Sequence, residues 1–340
     1  MWRGQCFLRG GSAVIGWKVG NSAARPGHLC NHVRRFVRKQ LSETKRHSLR
    51  PVEDVEQTLS ESRGLFKPLT FAVAVTCTSF TGAAIWQYET FRRLAKQNQH
   101  RFTKPRNSYF YGKAGDFRNR LNTWWNQLHP AEKLMCGVIG ANIAVFLAWR
   151  VPQLTGFMTT FFMASPMAKV TCWPMMLSTF SHYRLLHLFV NMYVLWSFAP
   201  VVSSKFGKEQ LLATYLSAGV ISSYASYVYK VVRASSVPSV GASGAILALI
   251  GIVGTLYPDS RFSIAFISQL YPHSFSADTG VKCLIVLDTL GVLFGWKFFD
   301  HAGHLGGMLF GIWYAKYGHR LARKHRDAVI HYWHKLRGKP

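Results

Sequence analysis

The chain has 340 residues, of which 49% are hydrophobic and 14% aromatic, and it carries a formal net charge of +27. The apolar residues lie in blocks, and seven blocks near the ~20 residues that span a hydrocarbon core would overfill a soluble interior, which excludes an ordinary soluble domain. The positive charge lies mainly in loops and tails.

Residues 1–50 carry Arg34, Arg35, Arg38 and Lys39 among other cations, and Glu43 as their one acid. They lack the continuous apolar core of a secretory signal, so the pattern predicts a mitochondrial transit peptide. Residues 51–67 read as a polar N-terminal tail, 68–88 as an extra transmembrane helix, and 89–131 as a basic linker containing Arg92, Arg93, Lys96, Lys104 and Arg118. Near its end stands Trp124-Trp125. Indole pairs beside a span sit at headgroup level, and clustered cations there attract anionic lipid such as cardiolipin. Six further blocks, 132–149, 184–202, 210–229, 238–257, 281–296 and 302–317, make a core over 132–318, followed by a basic C-terminal tail at 319–340. The fold class predicted is an all-α polytopic membrane protein with one helix before a six-helix bundle (1+6). The six cysteines show no CxxC spacing, so neither a metal site nor a cofactor is expected, and the charge is assigned to import and lipid, not to nucleic acid.

Helices that alternate through a membrane place every second one parallel, so the second, fourth and sixth core spans enter from one face. Ser243 stands five residues into the fourth and His304 two or three into the sixth, roughly 4 to 8 Å below that face at about 1.5 Å per residue. His187 and Asn191, four residues apart near the start of the second, share one side of their helix. Gly303, Gly307 and Gly311 form a small-residue stripe, and Gly241, Gly244, Ala245 and Ala248 give the fourth helix small residues nearby, so the two backbones can approach closely. A hydroxyl within reach of an imidazole predicts acyl transfer: His304 takes the Ser243 proton as Oγ attacks a peptide carbonyl, then returns it to the leaving amine. The oxyanion is expected on the Ser243 N–H with His187 and Asn191 as side-chain donors. Asp288, on the antiparallel fifth span, is expected deeper than His304 and not paired with it. His301 is expected at the headgroup edge.

Taken together, His187-x-x-x-Asn191, Gly241-Ala242-Ser243-Gly244 and Gly303-His304-Leu305-Gly306-Gly307 resemble the motifs of rhomboid intramembrane serine proteases. Trp149-Arg150 matches the pair that opens the first loop of that family. The extra span, the transit-like start and the run 295–307 resemble its mitochondrial inner-membrane branch. The likeness covers about residues 130 to 320. It implies Ser243 as nucleophile, His304 as base, and His187, Asn191, Gly241 and Gly244 around the oxyanion and substrate. It also implies a multi-pass inner-membrane protein whose substrates are single-pass mitochondrial membrane proteins, including a quality-control kinase and a phosphatase. A nucleophile below the surface reaches only a segment that unwinds, which Gly or Pro near the membrane edge favours. The chain departs from many bacterial members at Leu247, where an aromatic would stack on the histidine, so the ring must be oriented by something else. The alternative, an inactive rhomboid-like protein that escorts membrane clients, would be expected to lack the serine or the histidine, and this chain keeps both.

Overall fold

Each of the seven apolar blocks coincides with a helix: α1 (Phe66–His100), α3 (Pro130–Ala148), α6 (Leu185–Phe206), α7 (Lys208–Val232), α8 (Ser243–Leu256), α9 (Ala277–Phe294) and α10 (His301–Trp313). Between and after them lie α2 (Lys113–Gln127), α4 (Thr155–Phe161), α5 (Cys172–Leu177) and α11 (His319–Leu336). A two-stranded antiparallel hairpin pairs β1 (Arg261–Phe262) with β2 (Phe275–Ser276). The computed structural model describes residues 64–100, 113–263 and 274–338, all within the second of two compact units, 59–340; the predicted transit peptide lies outside the described residues. Among the described residues three helices are long and apolar enough to cross a membrane, within Phe66–Gln97, Pro130–Ala148 and Leu185–Phe206, and Ser243–Leu256 is a shorter apolar helix.

Local chemistry sets the boundaries. At the start of α3, Pro130 supplies a preset φ while His129 and Glu132 form a reciprocal cap, the His129 N–H donating to Glu132 Oε2 at 2.6 Å. Ser276 caps α9, accepting from the Thr279 N–H at 3.1 Å, and Gly295 ends it in the left-handed region at φ 69°. Three segments differ from the expectation. The described parts of the linker at 89–131 are largely helical, because α1 runs on through residues free of Gly and Pro to His100 and Lys113–Gln127 form α2. The tail is helical over His319–Leu336. A π-helical turn at Tyr314–Gly318 joins α10 to α11, whose Trp333 Nε1–H and Arg337 guanidinium both reach the Glu89 carboxylate on α1. The fourth core helix begins at Ser243, not Pro238, because Ser239 is held extended against Ala164 by two backbone bonds of 2.8 and 3.0 Å.

The bundle is built around α8, which is buried along most of its length. Leu188, Met192, Leu195, Ala199 and Val202 turn one stripe of α6 inward, while Leu185, Leu186, Phe189 and Val190 of the same helix are exposed, as a lipid-facing side requires. Register is set by small residues. A Cβ on Gly307 would run into the Gly244 carbonyl, and one on Gly311 into the Ala248 carbonyl, so α10 runs parallel to α8 in backbone contact. Gly254 faces Val281 and Ala277, and Leu247 packs with Val281 and Met308, so α9 runs antiparallel to α8. The first described helix, α1, lies along α7, with Ala72 against Val220 at one end and Thr90 Oγ1 donating to Glu209 Oε1 at 3.3 Å at the other.

Replacing Gly307 with Leu is expected to lower stability by about 1–3 kcal/mol or more, since the new side chain has only backbone to displace. Gly82, with open space around it, is the control: Gly82→Leu should leave thermal unfolding in detergent within about 0.5 kcal/mol of the parent.

Candidate active site

Ser243 is the first residue of α8, and the backbone before it is shaped to present it. Gly241 has a φ of 128°, a conformation L side chains rarely adopt, and a Cβ there would stand 2.8 Å from His187 Cε1. Its N–H donates to the Ser178 carbonyl at 2.9 Å. The next N–H, of Ala242, donates to His182 Nε2 at 3.4 Å. His182 is fully buried, and burial together with the His187 ring 4.9 Å away pushes its imidazole down to about 4, so the acceptor nitrogen stays unprotonated at neutral pH. Trp149 Nε1–H donates to Ser181 Oγ at 2.8 Å and the Arg150 guanidinium to the Tyr183 carbonyl at 2.9 Å, fixing the segment that carries His182.

Across the α8–α10 contact, Ser243 Oγ lies 2.8 Å from His304 Nε2. His304 sits in the first turn of α10, which Asp300 caps: its Oδ1 accepts from the Gly303 N–H at 3.2 Å. The other oxygen of Asp300 accepts from Ser226 at 2.6 Å and from Ser239, and faces Lys230 Nζ at 3.6 Å. The start of α10 is therefore tied to α7 and to the loop before α8.

On its far side His304 meets a carboxylate. His304 Nδ1 is 3.4 Å from Asp288 Oδ1, and His301 Nδ1 is 2.8 Å from the same oxygen. Both expectations for these residues are corrected. Asp288 is not out of reach below His304, and His301, 3% exposed, does not face headgroups. The reason is register. A Cβ on Gly291 would strike the His301 ring, so these two residues are level. One turn down from each, Asp288 and His304 are level as well. α9 therefore runs about a turn past the start of α10, and the loop 295–300 climbs back. The ring orientation that Leu247 does not supply comes from Asp288 and from Phe299, whose ring lies 6.0 Å from that of His304 at 35°.

The remaining predicted residues are near but differently employed. Half-buried His187 stands over Gly241, and the buried Asn191 amide donates to the His187 carbonyl at 2.8 Å, leaving one N–H. Gly244 is buried in the helix contact, against Ser222, Gly303 and Gly307. The sequence reading sets Asp288 and His301 apart from the dyad, although His301 and His304, three apart, share a helix side. Among the described residues no group of three or more His, Cys, Asp or Glu stands at metal-binding spacing.

A serine hydroxyl and an imidazole meeting at one end of a bundle of apolar helices, with a glycine-bent loop before the serine, define a class, and the chain belongs to the rhomboid family. The family's Rhomboid domain matches residues 169–321. The chain is similar to presenilin-associated rhomboid-like protein, mitochondrial, of Homo sapiens, at 45% identity over 287 residues, covering 81% of this chain and 72% of the relative. It also resembles rhomboid protein 1, mitochondrial, of Saccharomyces cerevisiae, at 29% over 201 residues, 58% of this chain and 57% of the relative. Rhomboid protease GluP of Bacillus subtilis matches at 29% over 152 residues, 44% of this chain and 27% of the relative. These relatives place the chain among mitochondrial, multi-pass membrane proteins of a family that includes serine proteases.

Because His182 is held below its ordinary value of 6.5, its contribution to stability is complete above that value and is lost as pH falls toward 4. His182→Phe should therefore flatten part of the decline in thermal stability that the parent shows over that range, measured by unfolding in detergent at stepped pH.

Proposed function

We propose that this protein is an intramembrane serine protease of the mitochondrial inner membrane, with the 1+6 arrangement of spans, that cuts single-span membrane proteins within or near their transmembrane segment. The observation that carries this reading is the 2.8 Å approach of Ser243 Oγ to His304 Nε2 between two parallel helices. Ser243 Oγ attacks the scissile carbonyl and passes its proton to His304 Nε2. The Ser243 N–H, His187 and the free N–H of Asn191 stabilise the tetrahedral oxyanion. Asp288 Oδ1, 3.4 Å from His304 Nδ1, favours the tautomer with its proton on Nδ1 and so leaves the Nε2 lone pair directed at the serine. Collapse of the intermediate expels the amine with the proton from His304, and water then releases the acyl group by the same path in reverse.

The position of the site supports the substrate class. Helix hydrogen bonds hide the carbonyls of an intact span, so a substrate must unwind beside the bundle, which a Gly or Pro near the membrane edge favours. The basic helix α2, with Arg118, Arg120 and the exposed Trp124 and Trp125, is suited to an anionic lipid surface such as one containing cardiolipin.

The test is covalent labelling with a fluorophosphonate together with cleavage of a model single-span substrate in liposomes. Ser243→Ala should abolish labelling, and Ser243→Ala or His304→Ala should lower cleavage by at least about 10²-fold. Cleavage at the parent rate in either variant would remove the protease reading.

A further inference from the structure

One oxygen of Asp288 faces two imidazoles, and the shorter contact belongs to the ring with no part in the steps above. His301 Nδ1 lies 2.8 Å from Oδ1, against 3.4 Å for His304 Nδ1. His301 is almost fully buried. Its ring fills the notch beside Gly291 and is walled by Trp296 at 5.8 Å, Phe298 at 5.1 Å and Phe299 at 6.0 Å. A phenylalanine would suit such a box by shape, and a polar ring costs free energy there unless its hydrogen bond matters. His301 Nε2 has no hydrogen-bond partner among the described residues. The tautomer with the proton on Nδ1 therefore satisfies the ring best: its N–H points at Asp288 and no N–H is left unpaired.

The surrounding charges leave this arrangement undisturbed. From α9 the group facing His301 is Asp288, and from α10 it is His304. Asp300, one residue before, directs its carboxylate at Ser226, Ser239, Lys230 and the Gly303 N–H. A 3.4 Å contact on its own is a loose hold on a carboxylate with two rotatable bonds. A second donor on the same oxygen pins it.

Resting on the Ser243–His304 reading, we infer that His301 is a positioning residue for the reaction: its Nδ1–H holds Asp288 Oδ1 against His304 Nδ1, and thereby keeps the His304 Nε2 lone pair on Ser243. Three variants of the full chain in liposomes test this with the model substrate. His301→Phe keeps the shape and drops the donor; kcat should fall by about tenfold or more, a part of what general-base catalysis supplies, while KM stays within about twofold. His301→Asn restores an N–H close to the Nδ1 position and should recover kcat to within about threefold of the parent. In an Asp288→Asn background, His301→Phe should cost no more than about a further twofold, because the group it holds is already neutralised. An undiminished kcat in His301→Phe, or the same loss in both backgrounds, overturns the inference. If His301→Phe does not fold, ¹⁵N-histidine spectra of the parent decide: a His301 signal protonated on Nδ1 upholds it and one protonated on Nε2 overturns it. Activity surviving in Ser243→Ala would instead defeat the dyad itself, so the two failures are distinct.

Discussion

Where Gly307 and Gly311 face the carbonyls of Gly244 and Ala248, α10 and α8 touch backbone to backbone, and the site depends on that closeness. In lipid, helices gain little by hiding apolar surface from one another, so association rests on dispersion between well-fitted surfaces and on polar contacts. Small residues let many atoms meet at once. The two residues of the proposed dyad are adjacent to this contact: Ser243 immediately precedes Gly244, and His304 lies three residues before Gly307. Side chains in the stripe would hold the helices apart by a few ångström, and a 2.8 Å hydrogen bond does not survive such a shift.

A second constraint is the offset between α9 and α10. Had the turn after α9 closed in two or three residues, Asp288 would lie a turn too deep for His304. The six-residue connection, with Gly295 in the left-handed region and Asp300 capping the next helix, instead lets α9 overshoot. The carboxylate then arrives level with the imidazole. The same connection supplies Trp296, Phe298 and Phe299, which exclude water from the His301 ring.

Much of this was legible in the sequence for a simple reason: alternation through a membrane converts position along the chain into depth. Ser243, His304, His187 and the Gly303-Gly307-Gly311 stripe follow from counting residues on helices that share a starting face. Counting failed where that face is not a plane. Asp288 and His301 were misplaced because the depth of an antiparallel helix was measured from its own end, which here lies a turn beyond its neighbour's start. Ser243 stands at the first residue of α8, not five residues in, because the pairing of Ser239 with Ala164 and the backbone of Gly241 are tertiary facts that hydropathy does not encode. The helices α2 and α11 carry too many cations to register as apolar blocks, and α11 owes its docking to the distant Glu89.

Three helices begin at this one end of the bundle: α6 just before His187, α8 at Ser243, and α10 just before His304. Each contributes aligned peptide dipoles equivalent to roughly half a positive charge at its N-terminus. Their summed field favours a negative oxygen at the reacting carbon and opposes a positive ring on His304. The proposed attack on a peptide carbonyl needs both at once. The Asp288 carboxylate, 3.4 Å from the imidazole on the side away from Ser243, offsets the opposition without weakening the attraction on the other side.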